Sequence, residues 1–496
     1  MILDWFLRNR LVLWSLSGLS FFLVWATDVT WPLVFVGLIL LFWATEVART
    51  YLEVLFGALF VGTLKFAGGS LWLLSTYPLV WMDWDPGVLQ VFSLLIYWFF
   101  ISLVFSLGLG VVQLTWRFAY ISLSKHFLYT LPLFFVASEI LGSMLFSVVS
   151  LGPGSQMGIN LSFGYIGYSV AHLAILYPVV KLAGVFGLGL FVSILSTLLF
   201  LLLKPDIVSR KKVYTTITIA ILFVVVLYIK FPPVELEFSG QKVIAVDTEF
   251  TSSMLQSDLG PTLKSNEIID ALVQASYYNP DLLLLPEDSR FTRNFISSGD
   301  ALEALLNNLD SQMILIDTAT VVSSNGETVL RAFYYDLAKE KVYMTDKQHL
   351  TPQGEYVPYL VSWFLAGIGA TDFLSKLNYD QNYRIGDLQG YEEFDENIPG
   401  IIFCFESVVP LSIRSQNELS GSNLILHPVS HAWFHQNDVL VKQLDSMLRV
   451  QSIWNEVTIV SAANMAKSKA YYPNGVIIEG REIQVSKYWR LVEYNF

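Results

Sequence analysis

Apolar positions run nearly unbroken through the first 231 residues, and their interruptions mark out stretches at about 11–27, 31–48, 53–77, 88–113, 129–150, 179–203 and 213–231. A helix needs roughly 20 predominantly apolar residues to cross a bilayer, so the pattern predicts about seven transmembrane helices. The first run has the length of a signal peptide, but further spans follow at once, which points to an uncleaved anchor. Residues 151–168 break the pattern differently: they are glycine-rich and too polar for a lipid-facing helix, and read as a loop or re-entrant segment bordering a cavity.

After Phe231 the period changes. Pro232 and Pro233 end the last span, since proline cannot continue a helix. Short β-rich runs at 242–246, 281–285, 313–316, 330–335, 400–405, 423–426 and 457–460 then alternate with polar stretches. Residues 266–278, 300–309 and 438–449 repeat apolar positions at three-to-four spacing and predict helices. The expected architecture is a multi-span α-helical membrane domain, 1–231, followed by a layered α/β sandwich domain, 232–496, large but acceptable as one unit.

Composition and charge sharpen this division. Hydrophobic residues make up 54% of the chain and charged residues only 15%, against roughly 25% charged in an ordinary soluble domain. Up to Phe231 there are 12 Lys+Arg and 8 Asp+Glu; after it there are 18 and 34, for a total net charge of -12. An acidic second half argues against nucleic acid as a partner. Arg8 and Arg10, Arg49, Arg117 and Lys125, and Lys204 with Arg210, Lys211 and Lys212 fall in alternate loops, whereas Asp28, Asp83 and Asp85 occupy the others. The positive-inside rule makes the cation-rich side cytoplasmic, and an odd number of spans then exports everything after Phe231. Lys65 and Glu139 are the ionisable residues worth naming within the spans; they are either functional, or snorkel or pair with each other toward an interface.

Three motifs in the exported half carry candidate chemistry. In Asp281-Leu282-Leu283-Leu284-Leu285-Pro286-Glu287-Asp288-Ser289 a hydrophobic strand delivers Glu287 at its carboxyl end, the usual place for chemistry in open sheets. A turn-rich segment from Tyr343 to Pro358 places Lys347 eight residues before Glu355. The run Gly400-Ile401-Ile402-Phe403-Cys404-Phe405-Glu406 holds the chain's one cysteine, which excludes an intrachain disulfide. Taken singly, each has a plain structural reading: a solvated acid, a surface lysine, a buried small hydrophobe. Together they supply a nucleophile, a base and a cation for a tetrahedral oxyanion.

The combination resembles the nitrilase superfamily, whose members use Glu, Lys and Cys in that order. The lysine motif, K-x-H-L-x-P-x-G-E-Y-V-P from Lys347 to Pro358, with the preceding spans, is similar specifically to the apolipoprotein N-acyltransferase family. The likeness in architecture covers nearly the whole chain; residue matching is confined to the motifs. The resemblance implies a nitrilase-like α-β-β-α sandwich, Cys404 as nucleophile, Glu287 as general base and Lys347 as oxyanion stabiliser, with Glu355 and Glu406 as supporting acids. It further implies transfer of a fatty acyl chain from a membrane phospholipid, through a cysteine thioester, to the N-terminal amino group of a lipid-modified apolipoprotein. The implied location is a bacterial inner membrane with the catalytic domain on the extracytoplasmic side, and no metal or dissociable cofactor is implied.

The chain departs from the family at several points. Ser430-His431-Ala432-Trp433-Phe434-His435 stands where the family has N-D-A-W-F-G, Phe405 replaces a tyrosine, and an asparagine-rich segment is reduced to Ser461-Ala462-Ala463-Asn464-Met465. An eighth, C-terminal span common in the family is not evident. His427, His431 and His435 have helical spacing for a zinc site, but Pro428 disfavours a helix there. Residues 359–373, with Trp363 and Phe364, read either as a lid dipping into the bilayer or as a buried hydrophobic arm. Two other functional classes stay open: a membrane-anchored amidase of the same superfamily, and a noncatalytic module binding envelope proteins.

Overall fold

The computed structural model describes residues 9–496 apart from 28, 80–85, 123–124, 205–208, 235–239, 258–259, 288, 290, 296–305, 307–308, 310–311, 323–325, 387–397, 421 and 436. All seven apolar runs form helices: α1 (Arg10–Leu23), α2 (Leu33–Val47), α3 (Tyr51–Gly69), α4 (Val88–Ser122), α5 (Leu131–Val149), α6 (Tyr177–Leu202) and α7 (Arg210–Lys230). From α3 onward the helical segments are long and apolar enough to span a bilayer. α1 and α2, at 14 and 15 residues, are shorter than the sequence pattern suggested, because chain turns take up the residues around Pro32. Small residues let the helices close on one another. A Cβ on Gly108 of α4 would lie 2.4 Å from the Gly142 nitrogen of α5. Lys65 of α3 and Glu139 of α5 are both buried and pair at 2.8 Å, so their charges are met within the bundle. Of the cations assigned to loops, Arg49 lies between α2 and α3, whereas Arg117 falls within α4; Arg8, Asp28, Asp83 and Asp85 lie outside the described residues.

Among the described residues the second half is built on twelve strands: β1 (Lys242–Thr248), β2 (Leu282–Leu284), β3 (Ile314–Val322), β4 (Thr328–Asp336), β5 (Lys341–Asp346), β6 (Gly400–Ile401), β7 (Leu424–Ser430), β8 (Thr458–Asn464), β9 (Ala470–Tyr471), β10 (Ile477–Ile478), β11 (Arg481–Val485) and β12 (Trp489–Asn495). β1, β2 and β3 run parallel, and β4 and β5 continue that half as an antiparallel meander. β6, β7 and β8 form a second parallel set. The two sets meet at a single register pair, Thr248 with Asn464, so the strands splay beyond that corner.

Side-chain alternation converts this topology into layers. Val243, Ala245, Leu282, Leu284, Leu426, Val460 and Tyr494 face inward and share a core drawn from both sets. Their neighbours Ile244, Val246, Leu283 and Leu285 face outward, against Ile268, Ala271 and Leu272 of helix α8 (Gly260–Ser276). On the other outer face Ile425 and Ile459 meet Ile413 and Leu448, from two further helices. Helix, sheet, sheet, helix is the expected α-β-β-α order. A period of two can fill both faces only when each face has a partner layer.

Two exposed helices, α9 (Tyr359–Gly367) and α10 (Thr371–Asp380), follow β5, and α11 (Ser412–Ser420) and α12 (Asp438–Asn455) flank β7 in the chain. α12 ties the halves together, because Leu440, Leu444, Met447, Val450 and Ile453 enter the same core as the membrane helices. Its Trp454 packs on Gly184, where α6 kinks at φ +55; a Cβ there would lie 2.2 Å from the indole ring.

The strand expected at 400–405 stops after Ile401, and Cys404 opens a 3-10 turn, Cys404–Val408. The cause is Glu406, whose carboxylate accepts the Phe403 N–H at 2.9 Å and bends the chain out of the extended form. The polar segment near the end forms β11 and β12, with β12 inserted beside β1. The helix expected at 300–309 falls almost wholly outside the described residues.

Candidate active site

Glu287, Lys347 and Cys404 each lie just past the carboxyl end of a strand: β2, β5 and β6 respectively. Each is held by its own local network. Past β2, Thr318 Oγ1 donates to the Glu287 carbonyl at 3.0 Å. The fully buried Asp317 accepts from the Thr292 N–H at 2.7 Å and from the Ser289 hydroxyl. Burial pushes Asp317 above the ordinary carboxylate range, while its hydrogen bonds oppose that shift. Neither Asp317 nor Thr318 was singled out by sequence, since both sit inside a hydrophobic β run. The signal available was a lone acid in such a run, which burial tolerates only with dedicated donors.

Lys347 follows β5 and is 1% exposed. Its Nζ lies 2.7 Å from Glu355 Oε1 and 3.4 Å from Glu287 Oε1. Glu355 is held in turn by the Thr351 N–H, 2.7 Å from Oε2. Burial alone would push the ammonium's pKa down, but the Glu355 and Glu287 carboxylates outweigh it and hold Lys347 above its ordinary value. The lysine is therefore charged at neutral pH.

Cys404 is partly exposed, and its thiol faces the Ser430 carbonyl at 3.9 Å. Burial pushes the thiol pKa up, the Glu287 charge adds to the rise, and Lys347 opposes it. At neutral pH the sulfur is protonated and needs a base at the moment of attack. Glu406 does not touch the cysteine sulfur. Its Oε1 accepts the Gln348 and His349 N–H groups at 2.8 and 3.0 Å, and its Oε2 accepts Phe403. One carboxylate thus joins the turn bearing the cysteine to the strand end bearing the lysine.

Asn464 ties the splayed corner: its Oδ1 accepts Thr248 Oγ1 and the Phe250 N–H, both at 2.9 Å, and its Nδ2 donates to the Phe250 carbonyl at 2.9 Å and to Ser430 Oγ at 3.2 Å. His427 lies in β7, His431 just beyond it, and His435 sits in a left-handed turn with Nδ1 2.6 Å from the Ser75 carbonyl oxygen. Among the described residues no group of three His, Cys, Asp or Glu side chains is arranged to hold a metal ion. Trp363 and Phe364 of α9 are 72% and 64% exposed, and α9 buries none of its residues, so the buried-arm reading fails.

No protein-family model matches the chain. It is 22% identical over 347 residues to the apolipoprotein N-acyltransferase of Geobacter metallireducens, covering 65% of this chain and 63% of that protein. The protein of the same name from Allorhizobium ampelinum is 27% identical over 216 residues, 40% of this chain and 38% of that one. The one from Agrobacterium fabrum is 24% identical over 373 residues, 69% and 66%. The chain thus spans a little under two thirds of the length of the first of these relatives. Among solved structures it is similar to an amidase from Nesterenkonia sp., at 15% identity and a TM-score of 0.35, over 52% of this chain and 92% of that one. The resemblance drawn from the motifs is borne out in sequence: the chain is similar to proteins named apolipoprotein N-acyltransferase.

Proposed function

We propose that this chain is a membrane N-acyltransferase that moves a fatty acyl group from a phospholipid to the N-terminal amino group of a lipid-modified apolipoprotein. The observation that carries the reading is the buried Lys347 ammonium, paired with Glu355 and Glu287 beside the single cysteine. Glu287 takes the thiol proton as the Cys404 sulfur attacks the ester carbonyl of the phospholipid. Negative charge develops on the carbonyl oxygen and is met by Lys347, which is already charged and already desolvated. Collapse expels the lysophospholipid alkoxide, which leaves with the proton held by Glu287, and a thioester remains on Cys404. The acceptor amine then attacks the thioester, gives its proton to Glu287, and leaves as the amide; the proton returns to the sulfur. Glu355 and Glu406 hold Lys347 and the cysteine turn in place.

The charge distribution of the loops supports an inner-membrane protein with residues 232–496 on the extracytoplasmic side of a helical domain, 1–231. Donor and acceptor are both anchored in lipid, so they reach the site by lateral diffusion, past the exposed apolar face of α9. A soluble amidase of this superfamily would use the same three residues, but α9 and the long apolar helices favour a lipid substrate.

Intact mass tests the reading. Wild-type protein incubated with phospholipid micelles should gain one fatty-acyl increment that hydroxylamine removes, and Cys404→Ala should gain none. Absence of the increment in the wild type, under conditions that acylate a relative of that name, would refute it.

A further inference from the structure

The 3-10 turn that begins with Cys404 is gripped from three directions. The Glu406 carbonyl accepts Ser412 Oγ at 2.6 Å, the Ser407 carbonyl accepts Gln451 Nε2 at 2.6 Å, and the Val408 carbonyl accepts Ser162 Oγ at 2.7 Å. The first two donors belong to α11 and α12. Ser162 comes from the opposite half of the chain, 246 residues away, in the glycine-rich stretch between α5 and α6.

That stretch is anchored to the membrane helices at every turn. Ser143 Oγ of α5 donates to the Leu161 carbonyl at 2.8 Å, and Glu139 Oε1 accepts the Ile166 N–H at 2.9 Å while pairing with Lys65. The Tyr165 hydroxyl donates to the Glu139 carbonyl at 3.0 Å. Gln443 bridges the Gly164 N–H and the Gly69 carbonyl, at 3.2 and 2.7 Å. The start of the stretch meets the lysine arm: the Tyr356 hydroxyl donates to the Ser150 carbonyl at 2.9 Å, and the Tyr359 N–H to the Leu151 carbonyl at 2.7 Å. One segment therefore touches the chain next to Glu355 at one end and the cysteine turn at the other.

We infer that this segment is a strut from the membrane helices that sets the Cys404 turn against Lys347 and Glu287, with Ser162 as the positioning residue that carries the contact. The inference rests on the nucleophile reading above and extends it to a residue in the membrane half. Ser162 and Val408 are both buried, so no water replaces the hydroxyl if it is removed, and the turn relaxes to find another donor. A displacement of even about 1 Å at a reacting group is enough to slow a reaction by up to roughly a hundredfold.

The experiment uses the full chain in phospholipid micelles and exploits its single cysteine. Iodoacetamide labelling of Cys404 is followed across a pH series, alongside thioester formation from phospholipid. Ser162→Ala should slow both on the order of tenfold at neutral pH and move the labelling profile to higher pH, as Lys347 loses its hold on the sulfur. Ser162→Thr should restore both, and Tyr168→Phe, which removes the hydroxyl 3.1 Å from Ser162 Oγ, should give a smaller shift if the alanine variant fails to fold. Ser196→Ala, a buried serine bonded only within its own helix, should match the wild type. Labelling of Ser162→Ala at the wild-type rate and profile, or no rescue by threonine, would overturn the inference. Wild-type labelling indifferent to Glu287→Gln and Lys347→Met would instead sink the nucleophile reading, and the Ser162 comparison would still report whether the strut sets the turn.

Discussion

Removing the Lys347 ammonium should destabilise the fold more than removing either carboxylate that faces it, and the reason is countable. At 2.7 and 3.4 Å, with an effective dielectric of about 20, the attractions to Glu355 and Glu287 are each on the order of 5 kcal/mol gross. Desolvating the ammonium offsets several kcal/mol of that, yet the pairing wins, because the lysine's proton affinity is raised despite burial. Lys347→Met keeps length and apolar packing but leaves two carboxylates, 17% and 14% exposed, facing each other without a cation. Loss of one partner from a buried pair costs about 3–5 kcal/mol, and the low end is expected here because both acids keep some contact with solvent. Glu355→Gln should cost about 1–2 kcal/mol, since Glu287 still pairs with the lysine and the amide oxygen still accepts. The double variant should then fall short of the sum by at least about 1 kcal/mol, the signature of a shared interaction. Thermal unfolding of the four proteins in one micelle composition measures this. Additivity within about 0.5 kcal/mol, or a lysine variant no less stable than the glutamine one, would refute the account of the site as a charge-compensated cluster.

Three further outcomes follow from other parts of the molecule. His427 and His431 are buried and held neutral, their pKa values pushed down to about 3 and about 4 mainly by burial; the unfolded chain takes up protons first, so their contribution is full above about pH 6.5 and is lost as pH falls from there. Asp247 has the opposite sign: burial raises it to about 6, so the stability it withholds returns as pH drops from about 6 to about 4. His427→Leu should therefore flatten the acid-side loss of melting temperature and Asp247→Asn should steepen it below about pH 6; parallel pH curves for both variants would contradict the assignment. Gly184→Ala should cost about 2 kcal/mol or more, from a left-handed backbone and a methyl driven into the Trp454 ring, and Trp454→Ala should remove much of the difference, as read by unfolding of the two single variants and the double. Trp363→Ser should leave unfolding within about 0.5 kcal/mol of wild type while weakening acyl uptake from phospholipid, whereas a large loss of stability would argue that α9 is packed in the native state.

What the sequence made legible follows from how local each signal is. Seven apolar helices and a strand that delivers Glu287 at its carboxyl end are written in hydropathy with periods of 3.6 and 2, which any local window reads, whereas β5, which delivers Lys347, falls where the sequence reads as turn-rich. The ends of the cysteine strand were not legible, because its termination depends on Glu406 bonding Phe403, Gln348 and His349, two of which lie more than fifty residues away. β11 and β12 were missed for a related reason. Their alternation is half polar, and β12 owes its place to pairing with β1 along seven registered positions, from Lys242 with Asn495 to Thr248 with Trp489. Asp317, Thr318 and Ser162 left no mark beyond being polar residues in apolar surroundings, and only the fold supplies the carbonyls and amides they serve.

The relative placement of Glu287, Lys347 and Cys404 depends on how the two strand sets are joined. The three lie past strands from both sheet sets, and the sets share one pair of residues, Thr248 with Asn464. The corner is thus a hinge unless something else bridges it. Asn464 bridges it through three hydrogen bonds to Thr248 and Phe250, Glu406 joins the sets through two to Gln348 and His349, and α12 holds one set against the membrane helices through a shared apolar core. None of these ties passes through the side chains of His431, His435 or Phe405, whereas Ser430, in the same altered motif, accepts a further hydrogen bond from Asn464 Nδ2. Two of those positions instead face the membrane half: Phe405 packs against its core and His435 bonds the Ser75 carbonyl. Phe405 and His435 therefore bear on how the sheet domain is seated on the membrane helices, and Ser430 on the ties around Asn464.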